Sequence, residues 1–384
     1  AEVRGLFYLG SALSWFDRPR FEAAAERAMD LAGRLDNDLL RSHARGYAAY
    51  WNLLLRGPRE EDVGAPGEAI DAARRARDRL LLGQHVARAS YFRCLRSEYR
   101  AGCEAAREGM DLALEVGDGF DYLLCHFFLA WGLLHAGQWG DMLGVLEKGI
   151  RMAESNGHQL WATLFHLEEA LLYEKAFHFE AARRLCEQGL KRAREAGHGH
   201  SQLLSQVLLG FAYLGLERYD RARHCLSEVA EPQARGRILM DWNWQMPLGL
   251  CLSELELAGG DRARARVEAE RVCAQAAQSG ERTYLSLARR MLARLFDEEQ
   301  DLPRALGEIT AAVTALEGFE APMAEWQVCA TAAELNQKSG RPSDAKAFMA
   351  RSARTIERLA DSLGAAPALR QSFLSAPQVL AAMR

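Results

Sequence analysis

The sequence predicts an all-α solenoid, a row of antiparallel helix hairpins in which each hairpin stacks on the next. Three observations carry that reading. Small residues recur at Ser90, Ala130, Ala170, Gly210, Ser253, Ala293 and Ala333, in steps of 40, 40, 40, 43, 40 and 40 residues. The apolar residues between them follow an i, i+3, i+4, i+7 rhythm, and strand-like alternation is absent. Breaker-rich segments punctuate the units at "HAGQWGD", "ESNGH", "REAGHGH", "ELAGGD", "QSGERT" and "KSGRPSD".

The elements follow in order. A first copy reads "YLGSALSWF" then "PRFEAAAERAMDLAG". A second has Gly46 and Tyr47 on its first helix and "GEAIDAARRARD" on its second, with an insertion near residues 57–66 between them. The third opens the strict frame with Ser90, Tyr99, Gly102, Ala106 and Gly109. In the next three copies a bulky residue follows the small one by three positions (Leu133, Tyr173, Tyr213). An aromatic then opens the second helix (Trp139, Phe179, Tyr219), followed by Met142, Ala182 and Ala222 and by Leu146, Cys186 and Leu226. The frame continues through Ala265 and Ala269, Ala305 and Ile309, and Ala345 and Met349. Pro303 and Pro342 fall in the first turn of a second helix, where a missing N–H costs nothing. The small residues mark helix crossings, since only Gly, Ala or Ser lets two backbones approach to about 8–10 Å. A lone hairpin cannot bury its apolar stripe, so residues 1–364 are expected to form one array of about nine hairpins. Residues 365–384, "APALRQSFLSAPQVLAAMR" among them, break the frame and are expected to form a C-terminal capping helix over the last exposed face.

Composition narrows the function. The 384 residues are 49% hydrophobic and 26% charged, values of a globular chain rather than a disordered or collagen-like one. The net charge of -4 leaves no basic excess for a phosphate backbone, so nucleic acid is not an expected partner. No run reaches the roughly 18–20 apolar residues of a membrane span. The eight cysteines are scattered without a C-x-x-C pair, which points to reduced thiols and a cytoplasmic location. The start lacks Met and a signal-peptide pattern, and reads as a piece cut from a longer protein.

Catalytic chemistry is not written in the sequence. There is no G-x-x-x-x-G-K-[ST], no G-x-S-x-G and no H-E-x-x-H, so the chain is expected to be non-catalytic, without cofactor or metal. "GHGH" at Gly197 to His200 lacks patterned further ligands and reads as a solvated turn. The acids Glu168 and Glu169, and Asp297 to Glu299, read as wet helix faces, as does "ARRARDR" from Ala73 to Arg79.

The segment "LLGFAYLGLERYDRARHCL", through Leu209, Gly210, Tyr213, Tyr219, Ala222 and Leu226, resembles the tetratricopeptide repeat (TPR). That resemblance implies a right-handed superhelix of TPR-like hairpins. The period near 40 exceeds the usual 34 and resembles the sensor regions of the maltose regulon activator and related STAND ATPases. It also resembles the arrays of kinesin light chain and of a mitotic-spindle adaptor. The tail is similar to the endings of large bacterial signalling proteins in which an ATPase, cyclase, kinase or DNA-binding module precedes the array.

The resemblance further implies that first helices line a concave groove. On that frame the groove of copies two to six is aromatic and that of copies seven to nine is charged, with Glu254, Arg294 and Glu334. The candidate binding residues are Tyr47, Trp51, Tyr91, Phe127, Trp131, His135 and Phe211. A line of aromatics fits either a ligand site or a closed interior. A second stripe, Tyr122, Trp161, Trp244, Tyr284 and Trp326, is expected to pack on neighbouring units. The expected role is a sensor module that binds a peptide, a small-molecule effector or another domain in the groove and regulates an upstream module. The other reading is a scaffold for an extended peptide, with Arg88, Glu168, Glu174 and Lys175 as polar clamps. A homodimer through the solenoid edge or tail is open to such a fold.

Overall fold

A computed structural model describes residues 2–14, 17–230 and 240–383. The pair Trp15–Phe16 of the first copy lies outside them. The described residues form nine helix hairpins and two short terminal helices. In chain order the hairpins are α1/α2 (Glu2–Leu13, Arg18–Arg34), α3/α4 (Asp38–Arg56, Ala65–Ala76) and α5/α6 (Arg79–Cys94, Tyr99–Val116). Next come α7/α8 (Gly119–His135, Trp139–Ser155), α9/α10 (Gln159–Lys175, Phe179–Glu195) and α11/α12 (Gly199–Gly215, Tyr219–Ala230). The last three are α13/α14 (Asp241–Ala258, Arg262–Ser279), α15/α16 (Arg282–Glu298, Leu302–Ala315) and α17/α18 (Pro322–Lys338, Pro342–Ser362). The tail forms α19 (Pro367–Ser375) and α20 (Pro377–Ala382). It is thus two helices where one was expected. Pro377 has no N–H to continue α19, and Ala376 before it is extended (φ -64°, ψ 132°). The insertion after α3 holds one short 3-10 turn, Glu60–Asp62.

Local chemistry sets the helix ends. Asp17, Asn37, Asp78, Asp118, Asp261 and Asp301 each accept a hydrogen bond from the backbone N–H three residues on. Gly117 and Gly280 terminate α6 and α14 in the left-handed region at φ 74° and 72°, which favours glycine. The recurring small residues sit at the hairpin crossings. A Cβ on Gly210 would lie 2.4 Å from Leu226, and one on Gly102 would lie 2.9 Å from the Ser90 carbonyl. The Ser253 hydroxyl uses the same closeness to donate to the Ala265 carbonyl at 2.7 Å.

The array winds tightly enough that hairpins two, three and four each meet the one five places further on. Hairpins two and seven are joined by the Trp242 indole N–H donating to Leu53 O (2.6 Å) and Met240 N–H donating to Leu54 O (3.0 Å). Hairpins three and eight share a buried polar knot. Ser97 and Tyr99 donate to Glu281 at 2.8 and 2.9 Å, and the Tyr99 hydroxyl lies 2.6 Å from that of Thr283. Hairpins four and nine meet where Trp139 N–H donates to the Ser362 hydroxyl (3.3 Å) and where Gly137 packs on Leu359 and Pro322. The terminal helices complete the seam. Phe373 is fully buried, with Trp139, Phe177 and Trp326 at ring distances of 5.1, 6.2 and 6.4 Å. One apolar cluster therefore extends from Val3 to Ala382, with smaller clusters beside it in the second, third, seventh, eighth and ninth hairpins. No described helix is long and apolar enough to cross a membrane.

Because Phe373 joins the tail to two superhelical turns at once, Phe373→Ala is expected to cost about 3–5 kcal/mol. The exposed Val267→Ala is expected to stay within about 0.5 kcal/mol. Urea unfolding of both variants measures the difference, and equal effects would mean that the tail is not part of the core.

Candidate functional site

The structure places six of the seven sequence-predicted groove residues in the interior. Tyr47, Trp51, Tyr91, Phe127, Trp131 and His135 are each no more than 4% exposed. Tyr47 packs on Phe7 (4.7 Å) and carries the Arg88 guanidinium over its ring at 4.6 Å. Trp51 lies between Phe7 and Phe21, and Tyr91 between Tyr50 and Phe128. Phe127 meets Phe128 edge to face. Trp131 packs on Trp244 at 5.5 Å, and His135 stacks on Tyr99 at 4.9 Å. At this end of the array the aromatic line is a closed interior: the first hairpin covers Tyr47 and Trp51, neighbouring hairpins enclose Tyr91 and Phe127, and the seventh and eighth hairpins reach Trp131 and His135. The second stripe reports the same winding. Trp161 packs on Phe120 and Phe127 of the adjacent hairpin, as expected, and on Phe165 of its own helix, whereas Trp244, Tyr284 and Trp326 reach Trp131, His135 and Phe177 on the preceding turn.

Phe211 lies elsewhere, half-buried on the wall of a cavity of about 710 Å³. This cavity is where the concave faces of the fifth to ninth hairpins converge. Helical spacing builds its walls: Pro247, Leu250, Glu254 and Ala258 from α13, Tyr284, Leu287, Met291 and Arg294 from α15, and Met323, Trp326, Ala330 and Glu334 from α17. The ends of α9 and α11 supply Glu174, Lys175, Phe211 and Leu214, and α20 closes one side with Gln378 and Ala381. Tyr219 and Glu334 stand exposed at the rim. Of the polar clamps considered, Glu174 and Lys175 line the cavity, while Glu168 and Arg88 are core.

The cavity is apolar with fixed charges. Arg294 pairs with Glu254. Arg290 donates its Nε–H to the Gln327 carbonyl at 3.1 Å and the Thr331 hydroxyl at 3.0 Å. Burial, then the neighbouring Arg294, brings the Arg290 guanidinium down to about 10. Burial raises the Glu174 carboxyl and lowers the Lys175 ammonium. The charged late copies were legible in the repeat frame. That they face a cavity, and the early aromatics a core, depends on superhelical pitch. No group of three or more His, Cys, Asp or Glu among the described residues could hold a metal ion.

No protein-family model matches the sequence, and no curated protein does. Solved structures do. The chain is similar to a Rap protein complexed with competence and sporulation factor, at TM-score 0.70 and 14% identity over 94% of this chain and 99% of that one. It is also similar to the Rap conjugation gene regulator of plasmid pLS20 in complex with the Phr* peptide (TM-score 0.62, 13% identity, 94% and 98% covered). A third is NprR in complex with its cognate peptide NprX (TM-score 0.52, 14% identity, 97% and 96% covered). The fold is that of a TPR-like α-solenoid.

The buried aromatic end contains a histidine pair, His43 Nδ1 and His85 Nε2, 2.7 Å apart. Burial, then Arg88, pushes His43 down to about 3, and burial, then His43, lowers His85. Both rings are neutral in the fold and protonate in the unfolded chain below about 6.5. Their contribution is therefore present above pH 6.5 and is lost as pH falls towards 3. Relative to the parent, His43→Phe is expected to flatten the fall in stability below pH 6.5 by up to about 1.4 kcal/mol per pH unit. Urea melts between pH 4.5 and 6.5 test this, and parallel curves would show that the pair does not titrate on unfolding.

Proposed function

We propose that this chain is a receptor module that takes a short extended peptide in the cavity of its C-terminal half. We further propose that occupancy regulates another module of a larger protein. The carrying observation is the cavity itself. Its 710 Å³ falls within the roughly 300–1,000 Å³ typical of ligand sites, and it combines an apolar floor with fixed charges. Six hairpins and the tail contribute to it, the fourth through Trp139, so a bound chain would touch two superhelical turns together. The side chains of Gln327, Thr331 and Gln378 on its walls supply donors and acceptors for peptide groups. Three proteins of similar fold carry competence and sporulation factor, the Phr* peptide and NprX in their structures, which supports a peptide as the ligand class.

Regulation would follow from the seam. A ligand that favours one spacing of the two turns shifts the array towards that spacing, by no more than its difference in affinity for the two states. The cavity reading is tested by passing a random hexapeptide library over the immobilised chain. A subset of peptides is expected to be retained. Ala330→Trp, which fills the α17 wall, is expected to weaken retention at least about tenfold with its melting temperature little changed. Equal retention by both proteins would remove the cavity from the function.

A further inference from the structure

Arg290 stands at the middle of α15, where α15 and α17 form one side of the cavity. Its Nε–H is shared by two acceptors of α17, the Gln327 carbonyl at 3.1 Å and the Thr331 hydroxyl at 3.0 Å. Both of these residues also line the cavity. The shared bond fixes the plane of the guanidinium, and the N–H groups of its two terminal nitrogens find no acceptor among the described residues. Those nitrogens are not sealed in the protein. The Nε atoms of Arg88, Arg266 and Arg282 are buried and unpaired, whereas both terminal nitrogens of the half-buried Arg290 stay open to solvent. The fork of Arg290 is therefore held from behind and free in front.

The surrounding charges leave Arg290 uncancelled. Its basic neighbours on α15 are paired, Arg289 with Glu308 at 3.0 Å and Arg294 with Glu254. Glu254 and Glu334 favour the charge of Arg290 only at longer range, and neither forms an ion pair with it. Glu334 and Glu217 stand exposed at the rim. Burial raises the Glu174 carboxyl and lowers the Lys175 ammonium, which favours the neutral form of each. Brought down to about 10, Arg290 is still charged at neutral pH. Among the described residues the cavity thus presents one guanidinium whose terminal edge is free. A planar edge of that kind matches a carboxylate through two parallel N–H···O bonds.

We propose that Arg290 is the receptor for a carboxylate of the ligand, so that the cavity selects peptides by an acidic group. The proposal rests on the peptide reading above and adds a charge to it. Gln327 and Thr331 hold the fork in place before a ligand arrives, so little side-chain freedom is lost on binding. An entering carboxylate exchanges water for two charge-assisted bonds in a largely apolar surround, where such bonds are strong. The peptide's own carboxyl end and the side chain of Asp or Glu offer the same two oxygens.

The test uses the full chain and two random hexapeptide libraries, one with free carboxyl ends and one amidated there, with retained peptides read by mass spectrometry. The wild type is expected to prefer peptides that carry a carboxylate. Retention from the free-acid library alone assigns the group to the carboxyl end, and retention from both with Asp or Glu enriched assigns it to a side chain. Arg290→Gln removes the charge and is expected to reduce the preference about tenfold, the scale of a charge-assisted hydrogen bond. Arg290→Lys keeps the charge without the fork and is expected to reduce it by less. It carries the comparison alone if Arg290→Gln does not fold. Retention without preference for a carboxylate, or a preference that the folded variant leaves intact, overturns the receptor while the peptide reading stands. A variant that loses acidic and neutral peptides equally makes Arg290 a structural group and also overturns it. If neither library is retained, the peptide reading falls and the receptor with it.

Discussion

The contact of the second, third and fourth hairpins with the fifth one after each governs the rest of the structure. Nearest-neighbour stacking alone would make an open ribbon with a groove along its whole length. Here the Trp242–Leu53 hydrogen bond, the Ser97–Tyr99–Glu281 knot and the Phe373 cluster hold one turn on the next. The groove is then divided by what its first helices carry. Where they present Tyr47, Tyr91 and Trp131, large side chains pack on the first hairpin, on adjacent hairpins and on the overlying turn respectively, and fill the space. Where they present Ala258, Ala330, Arg290 and Glu254, space remains. The volume of the side chains decides which half is core and which half is cavity.

Charge follows the same division. In the filled half, Arg88 is 3% exposed and spends its guanidinium on Asp121, the Gln84 carbonyl and the Ser11 hydroxyl, with Tyr47 and Tyr50 beneath it. That network ties the first, second, third and fourth hairpins, and breaking one partner of such a pair typically costs about 3–5 kcal/mol. In the cavity half the accounts are left partly open. Arg294 has Glu254, but Glu174 has no comparable partner.

Much of this was legible in the sequence because repeats write their hairpins locally. Ser90, Ala130 and Gly210 could be read as crossings from spacing alone, since a crossing needs two segments a few turns apart. The aromatic-to-charged gradient was legible for the same reason. What it meant was not. Trp131 meets Trp244, His135 meets Tyr284, and Tyr99 meets Glu281 across more than 100 residues, and no local pattern encodes the pitch that brings them together. The stripe of Trp244, Tyr284 and Trp326 had the right period, but its partners lie on the preceding turn. Glu174 was visible in the sequence as one of four polar clamp candidates, but not that its carboxylate is buried without a hydrogen-bond partner.

The first turn of α15 is where seam and cavity share residues. Glu281 caps it, accepting the Tyr284 N–H at 2.5 Å while it holds Ser97 and Tyr99 of the preceding turn. The Tyr284 ring, one turn along, lines the cavity and feels the Glu174 charge. Further along the same helix are Arg290 and Arg294. A rigid helix cannot move its cavity face without moving its cap, so a displacement at Tyr284 is delivered to the Glu281 knot within a single turn. The seam knot and one wall of the cavity are thus two parts of one helix.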